Sequence, residues 1–245
     1  MTQLNQTSND NNPRRVLNVL IACEESQAEC DAFRALGHNA YSCDIQPCRR
    51  GGHPEWHIQG DVTPYLAGKT YFTTADGRKH HVPVWHLIIA HPPCTYLCKV
   101  SSVMLYKNAD EYVSTCKGIK YLNYDRWNKL RAARQFFFRC LNAQAMFVAV
   151  ENPIPMAIAQ LPRPDDYACP SWYGVKYTKK TCYWLRNLPP LMAGMQFPNP
   201  KSFVHCSRGK YRSRTFPQLA QAIARQWSSY ILDELDIIVP DDTRI

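Results

Sequence analysis

The stretch VLNVLIACEESQAECDAFRALGHNAYSCD, residues 16–44, decides the fold predicted for this chain. Its first part, Val16–Ala22, is a β-branched and leucine-rich run that is typical of a buried strand. Glu24–Leu36 follows with small and apolar side chains on one helical face, and Gly37 stands where a helix C-cap belongs. Asn39–Asp44 is a short second strand. A strand, a helix and a strand in this order predict a parallel sheet with right-handed crossovers.

Further apolar runs predict the other strands of the sheet. They are His57–Val62, Trp85–Ala90, Ala145–Val150 and Thr178–Leu188. Amphipathic helices are predicted over Tyr124–Ala143 and Gln218–Leu235, where apolar side chains recur at helical spacing. Prolines are frequent between residues 153 and 217, so long helices are not expected there. The predicted fold class is therefore α/β, with a Rossmann-like, mostly parallel sheet and helices on both faces.

The composition is that of a soluble globular protein. The chain has 245 residues, of which 45% are hydrophobic and 20% charged, and these values exclude wholesale disorder. Its apolar runs are too short to cross a bilayer, and its polar first residues do not resemble a secretory signal. Eleven cysteines in such a chain indicate reduced thiols, so a cytoplasmic protein is expected. One domain is predicted over residues 14–235, with a disordered tail over 1–13 and an acidic tail over 236–245.

Charge is unevenly distributed along the chain, which carries 29 Lys plus Arg, 20 Asp plus Glu and a formal charge of +9. Residues 99–139 contain nine of the basic residues, interleaved with tyrosines and Trp127. This mixture suits a polyanion with stackable bases, although a solvated basic surface is the alternative. The candidate nucleic-acid contacts in this stretch are Lys99, Lys117, Lys120 and Arg126.

Polar or reactive side chains lie at the ends of several predicted strands. They are Glu24 with Glu25, Asp44, Asp61, Cys94, and Glu151 with Asn152. In an open parallel sheet, ligands bind outside the carboxyl ends of the strands, and these residues are expected to meet there. The sequence therefore predicts an active site at this edge of the sheet.

The first strand end indicates which kind of cofactor this site takes. No glycine lies between Val16 and Leu36, and a Gly-Lys-Ser/Thr phosphate loop is absent, so a cofactor held by its phosphates is not expected. Asp44 is placed to accept hydrogen bonds from both hydroxyls of a ribose, and Asp61 from the amino group of an adenine. These features predict S-adenosylmethionine. For each acid alone, a helix N-cap or turn residue is the alternative.

Cys94 follows Pro92 and Pro93 at the end of an apolar strand, in a rigid and presented position. A thiolate there is a nucleophile if a positive charge or a helix N-terminus lowers its pKa. Glu151 ends another central strand and is predicted to face the same pocket as an acid or hydrogen-bond partner. For an isolated cysteine, a small buried apolar side chain is the alternative, and Cys98 is interpreted as a bystander of that kind.

Cys43, Cys48, His53 and His57 superficially resemble a set of zinc ligands. The central gap is too short for a zinc finger, and Cys43 lies within a predicted strand. No metal site is therefore predicted.

Several motifs resemble the cytosine-5 DNA methyltransferases, especially compact phage-type members. They are IACEES (21–26), CDIQP (43–47), HIQGDV (57–62), AHPPCTYL (90–97), VENPI (150–154), YTKKTCYWLRNLPPL (177–191) and SRTFPQLAQAIARQW (213–227). The resemblance runs from Val16 to Tyr230 in the linear order of the family. Pro-Pro-Cys and Glu-Asn, together and in this order, are its most specific features.

The resemblance implies a mechanism and a set of site residues. Cys94 would attack carbon 6 of a cytosine that has left the base stack, while Glu151 would hydrogen-bond ring nitrogen 3 and the exocyclic amine. Carbon 5 would then take the methyl group of S-adenosylmethionine and lose its proton. The positions that match the cofactor motifs of the family are Ala22, Cys23, Glu24, Asp44, Asp61 and Pro92.

The chain also departs from the pattern of this family. The glycine-rich first motif is replaced, and the Gln-x-Arg-x-Arg motif is not clearly present. Its stand-ins are Lys179, Lys180, Arg212 and Arg214. The target-recognition region is reduced, with candidates within 99–125 and 153–210.

The expected partner is DNA, with no membrane, and the expected state is a monomer in the cytoplasm, that of the host if a phage encodes the chain. A same-fold enzyme acting on cytosine in RNA or a nucleotide, and a non-catalytic nucleic-acid-binding relative, are the alternatives.

Overall fold

The computed structural model describes residues 15–106, 111–115, 118–203 and 215–238, and a seven-stranded sheet forms its centre. In chain order, the strands are β1 (Asn18–Ala22), β2 (Asn39–Asp44), β3 (His57–Gln59), β4 (Tyr71–Thr73), β5 (Lys79–His81), β6 (Leu87–Ala90), β7 (Glu111–Thr115), β8 (Gly118–Leu122), β9 (Phe147–Pro153), β10 (Asp166–Ala168), β11 (Tyr177–Thr178), β12 (Thr181–Arg186) and β13 (Lys201–Ser202). The α-helices are α1 (Ala28–Ala35), α2 (Thr63–Leu66), α3 (Tyr124–Leu141) and α4 (Pro217–Ile238).

The central sheet has the strand order β10-β12-β9-β6-β1-β2-β3. The strands from β9 to β3 in this order are parallel to one another, and β12 and β10 continue the sheet in antiparallel pairing. The predicted fold class, a Rossmann-like α/β fold with a mostly parallel sheet, is confirmed. Because β1, β2, β6 and β9 are parallel neighbours, their carboxyl ends lie at one edge of the sheet.

Helices cover both faces of the sheet, because each buried strand is apolar on both sides. In β1, Leu20 and Ala22 belong to the core on the α3 side, whereas Val19 and Ile21 belong to the core that includes α1 and α4. Aromatic pairs tie the helices to β12. The ring of Phe137 in α3 meets that of Trp184 edge-on at 4.8 Å, and Trp227 in α4 meets Tyr183 at 6.0 Å.

The structure corrects the predicted start of the first helix. The sequence predicted a helix from Glu24, but α1 begins at Ala28. Cys23 and Gln27 have positive φ angles of 62° and 58°, so a loop separates β1 from the helix. The carboxylate of Glu24 accepts hydrogen bonds from two backbone N–H groups of the first turn of α1, at 2.8 and 3.3 Å. A residue that satisfies these groups from outside caps the helix instead of extending it.

Long-range pairing moves two predicted strand bounds. The sequence ended a strand at Val150, but β9 continues to Pro153, because Glu151 and Asn152 pair with Tyr183 and Cys182 of β12. The predicted strand 178–188 is divided: β11 ends before residues 179–180, and β12 begins after them. Glu151 therefore lies within a strand, with neighbours on both sides.

The sequence did not predict the hairpins β4–β5 and β7–β8, or the edge strand β10. In β5 the residues Lys79–His81 are all polar, so this strand has no apolar alternation that would predict it. The hairpin β7–β8 lies within the basic stretch 99–125, which was a candidate target-recognition region.

Some predictions fall outside the described residues. The tail 1–13, most of the tail 236–245, and Lys117, Arg212 and Arg214 are in this group, and α4 continues to Ile238. Within the described ranges, no helix is both long enough and apolar enough to cross a membrane.

Candidate active site

The carboxyl ends of β1, β6 and β9 bring the predicted site residues together. The backbone N–H of His91, just after β6, donates to the carbonyl of Ala22 at the end of β1 (2.9 Å). The side-chain amide of Asn152 in β9 donates to the carbonyl of Pro92 (3.1 Å), and both residues are buried. These bonds hold the chain before Cys94 between the two neighbouring strands.

The chain after Cys94 is held by a second set of backbone contacts. Cys94 begins a short 3-10 helix, and the backbone N–H of Cys98 donates to its carbonyl (3.0 Å). Lys99 N–H donates to the carbonyl of Ile154 (2.9 Å), and Met156 N–H donates to that of Leu97 (2.8 Å). The segment 94–99 thus pairs with residues 154–156, which continue the chain after β9 and Glu151.

The thiol of Cys94 shares a hydrogen bond with that of Cys98. This bond, together with burial and the charge of Glu151, raises the pKa of Cys94, while Lys179 acts in the opposite direction. The same bond lowers the pKa of Cys98 to about 5, and Ser101 stabilises that sulfur further, with its Oγ at 3.6 Å. Cys98, interpreted from the sequence as a bystander, is therefore the direct hydrogen-bond partner of Cys94.

Glu151 lies beside a cation and a histidine. Its Oε2 is 3.2 Å from Nδ1 of His91, and its Oε1 is buried without a hydrogen-bond partner among the described residues. Burial acts to raise the pKa of Glu151, but the bond from His91 and the charge of Lys179 outweigh it, so this pKa is lowered. Glu151 and Lys179 line one narrow cleft together with Thr181 and Phe216.

His91 joins two buried carboxylates that the sequence did not connect. Its Nδ1 faces Glu151, and its Nε2 is 3.0 Å from Oε2 of Glu29 in α1. The side chain of Glu29 is fully buried, and that of His91 is 13% exposed. Sequence reasoning missed both residues, although the position of His91 directly before Pro-Pro-Cys was an available signal.

Glu24 faces α1 and not the strand-end cleft. Besides its bonds to the first turn of α1, its carboxylate accepts from the hydroxyl of Ser26 (3.5 Å). Burial and the neighbouring charge of Glu29 raise the pKa of Glu24 to about 8, so its carboxyl is protonated at neutral pH.

Asp44 and Asp61 each make the local hydrogen bonds of a turn or cap. Asp44 accepts from the backbone N–H of Gln46 (2.8 Å), and Asp61 accepts from the N–H and the hydroxyl of Thr63 at the start of α2 (2.9 and 2.8 Å). These bonds lower the pKa of Asp61. Both acids also lie close enough to Cys23 to contribute, after burial and a neighbouring thiol, to its raised pKa. Cys23, Asp44 and Asp61 therefore share the strand ends of β1–β3.

Two of the four residues that resembled zinc ligands, His57 and His53, make other contacts. Both ring nitrogens of His57 are engaged, with Ser42 Oγ and with the carbonyl of Gln46, each at 2.9 Å. His53 contacts Glu55. Within the part of the chain that the structure describes, no three His, Cys, Asp or Glu side chains are grouped to hold a metal ion.

Two of the predicted nucleic-acid contacts lie at residues 94–99. Arg126 in α3 donates to the carbonyl of Thr95 and stacks over the ring of Tyr96 at 4.3 Å, and Lys99 is exposed after Cys98. Lys120 lies in β8, with only its backbone described.

Lys179 and Lys180 diverge. Lys179 faces Glu151, whereas the exposed Lys180 lies over the ring of Tyr167 at 4.2 Å. Of the four basic residues named as stand-ins for the missing arginine motif, Lys179 is the one that the described structure places at Glu151.

A separate cleft of about 580 Å³ lies away from these residues. It is lined by the outer side of α1, the start of β2 and the segment around Trp56, including Arg34 and His53. It contains none of the strand-end residues.

No protein-family model and no curated protein sequence matches the chain. Among solved structures, the chain is similar to an E. coli prophage protein named as a DNA modification methyltransferase, with 16% identity and a TM-score of 0.38. The likeness covers 69% of this chain and 46% of the other, so this chain spans less than half of that protein's length. Similarity at this level carries no functional assignment, and the fold rests on the strand order and register given above.

The raised pKa of Glu24 predicts a specific dependence of stability on pH. Between about 4.5, the ordinary pKa, and about 8, the folded state binds the proton more tightly than the unfolded state, so stability falls as pH rises. Glu24→Gln keeps a neutral side chain at all pH values. Its free energy of unfolding in urea should therefore fall less than that of wild type between pH 5 and pH 8, by about 1–3 kcal/mol.

The exposed Asp233→Asn variant on α4 is the matched control and should keep the wild-type pH dependence. Equal pH dependence in Glu24→Gln and wild type would show that Glu24 is ionised in the folded state.

Proposed function

We propose that the chain transfers a methyl group to carbon 5 of cytosine in DNA through a covalent adduct with Cys94. The observation that carries the proposal is that Cys94, after β6, and Glu151, in the neighbouring strand β9, lie close enough for the charge of Glu151 to raise the pKa of Cys94, with Lys179 near both. A soft nucleophile and a buried carboxyl at one edge of the sheet match the two demands of this reaction, since a pyrimidine resists electrophiles until a nucleophile adds across its 5,6 bond.

The chemistry follows from these two side chains. The sulfur of Cys94 forms a bond to carbon 6 and gives up its proton to water, while the 5,6 double bond opens and its electrons move into the ring toward nitrogen 3. Glu151 contacts ring nitrogen 3 and the exocyclic amine through Oε1, the oxygen left without a partner, and stabilises the charge that develops on the ring. After carbon 5 has gained its methyl group, it loses its proton to water, the 5,6 double bond forms again, and the bond to sulfur breaks to release the Cys94 thiolate.

S-adenosylmethionine, when bound, supplies the methyl group. The donor set of the strand ends fits it: Asp44 for the ribose, Asp61 for the adenine amine, and no glycine-lined phosphate cradle. The backbone of residues 22–24 and Pro92 complete the proposed contacts. Because Glu24 turns its carboxyl toward α1, its part in this set is assigned to the main chain.

DNA is the proposed polymer because basic residues flank the nucleophile. Lys99 is exposed next to Cys98, and Arg126 holds the backbone at Thr95, so a phosphate chain contacted by these cations passes beside Cys94. The same contacts suit a base that leaves the stack to reach the cleft at Glu151.

Trapping with 5-fluorocytosine tests the covalent step directly. Fluorine at carbon 5 cannot leave as a proton does, so wild-type protein with S-adenosylmethionine should remain joined to DNA carrying this base. The adduct should survive denaturing electrophoresis in wild type and be absent in Cys94→Ser, whose hydroxyl is a far weaker nucleophile.

Cys48→Ser, which removes a half-buried thiol outside the site, is the control and should trap as wild type does. An adduct formed by Cys94→Ser at the wild-type rate would assign the nucleophile elsewhere.

Cofactor binding is testable without DNA. Asp44→Ala removes an acceptor of two ribose hydroxyls, so its dissociation constant for S-adenosylmethionine in calorimetry should rise about tenfold or more. Asp76→Ala, in the turn of the hairpin β4–β5, should bind as wild type does. No measurable binding by folded wild-type protein would remove the cofactor assignment.

The DNA contacts predict a dependence of affinity on salt. Each neutralised phosphate contributes a slope of about −0.9 in a plot of log affinity against log salt. Lys99→Gln combined with Lys129→Gln, both exposed at or near residues 94–99, should flatten the slope by about 1–2. Arg78→Gln, in the turn before β5, should leave the slope as it is. An unchanged slope in the double variant would mean that these lysines form a solvated surface only.

A further inference from the structure

We propose that His91, held by Glu29, is a positioning residue that fixes the carboxylate of Glu151 for its contact with the cytosine ring. The inference rests on the proposed function and adds to it two residues that do not touch the substrate. It follows from the geometry of the buried cluster behind Glu151 and from the charges within it.

The geometry places His91 between two carboxylates. Its Nδ1 lies 3.2 Å from Oε2 of Glu151, and its Nε2 lies 3.0 Å from Oε2 of Glu29. One oxygen of Glu151 is therefore held from behind, and the other, Oε1, is left without a partner among the described residues. A carboxylate held through one oxygen has a defined plane, which is what simultaneous contact with a ring nitrogen and its neighbouring amine requires.

The backbone of His91 is itself fixed. Its N–H donates to the carbonyl of Ala22, and the following residue, Pro92, accepts from Asn152, the neighbour of Glu151. Glu29 is fully buried within α1, which the carboxyl of Glu24 caps. The imidazole is thus oriented from three elements, β1, β9 and α1, and cannot rotate away without breaking a buried contact.

The charges favour a doubly protonated imidazole. Burial acts to lower the pKa of His91, but Glu29 and Glu151 outweigh it and raise this pKa well above the ordinary value. Both ring nitrogens then donate, one to each carboxylate. A cation between two buried anions offsets much of the cost of burying them.

Other titratable groups face the same cluster. Glu24 lies near Glu29 and His91. The titratable groups near Glu151 are Lys179, Cys94, Cys182 and Tyr183. Lys179 is the second cation at Glu151. Its presence means that removing the charge of His91 shifts the ionisation of Glu151 without leaving that carboxylate uncompensated.

Two variants separate a positioning role from a merely structural one. Glu29→Gln keeps the shape of the side chain but removes the charge that holds His91 protonated. His91→Asn removes the charge of the imidazole and the contact with Glu29. The matched control is His86→Asn, because His86 lies at the opposite end of β6 and contacts the backbone of Asn18. Melting followed by circular dichroism verifies that each variant is folded.

The first measurement is the rate of 5-fluorocytosine adduct formation as a function of pH. In the plot of rate against pH, each change of rate with pH is one limb. The limb that is due to ionisation of Glu151 is the one that is absent in Glu151→Gln. Loss of the neighbouring cation raises the pKa of a carboxyl, so this limb should move to higher pH by about one unit or more in both variants. The rate at neutral pH should fall about 10- to 100-fold, as expected for a misplaced catalytic group. His86→Asn should change neither.

The second measurement needs no reaction. Nitrogen NMR of the imidazoles should show His91, identified by the signal lost in His91→Asn, doubly protonated in wild type up to at least pH 7.5. Glu29→Gln and Glu151→Gln should each lower the pH at which it titrates.

The outcomes distinguish the two proposals. A wild type that forms no adduct refutes the proposed function, and the cluster is then judged by NMR alone. Adduct formation with an unmoved Glu151 limb in both folded variants overturns the positioning role. A histidine that titrates near pH 6.5 in wild type overturns it as well.

Discussion

The parallel pairing of β6 between β1 and β9 is the constraint on which the site depends. It sets Ala90 of β6 opposite Ala22 on one side and Val150 on the other, so the residues that follow these positions emerge at one edge. His91 and Glu151 are brought together in this way, and Cys94 follows His91 by three residues. A register shift of one residue would exchange the two faces of a strand. It would also move the residues that follow that strand away from their present neighbours at this edge.

A group of buried charges is the consequence of that convergence. Glu24, Glu29, His91 and Glu151 are all buried or nearly so, and ionised carboxylates are tolerated there only with compensating partners. Glu29 and Glu151 share the imidazole of His91, and Lys179 is a second cation near Glu151. Glu24 has a raised pKa instead. The pKa of Glu24 is thus raised and that of Glu151 lowered, although both carboxyls are buried in the same part of the fold.

Cys94 is positioned by backbone pairing more than by its own side chain. Residues 94–99 run along the continuation of β9, and Asn152 holds the carbonyl of Pro92. The proline pair restricts the backbone before Cys94, and the 3-10 helix after it brings Cys98 within reach of the thiol. The position of Cys94 is thereby tied through backbone hydrogen bonds to the strand that carries Glu151.

The opening strand, helix and strand, the parallel centre of the sheet and the placement of Cys94 and Glu151 at its edge could be predicted from the sequence. Apolar runs and helical periodicity are local signals, and strand ends in a parallel sheet meet by topology alone. Only the tertiary structure decided which contacts each carboxyl makes. The carboxyl of Glu24 caps α1, and His91 contacts Glu29. Pairing with β12 extends β9 past Glu151. These outcomes depend on contacts between residues up to 62 positions apart, for which a single sequence carries no periodic signal.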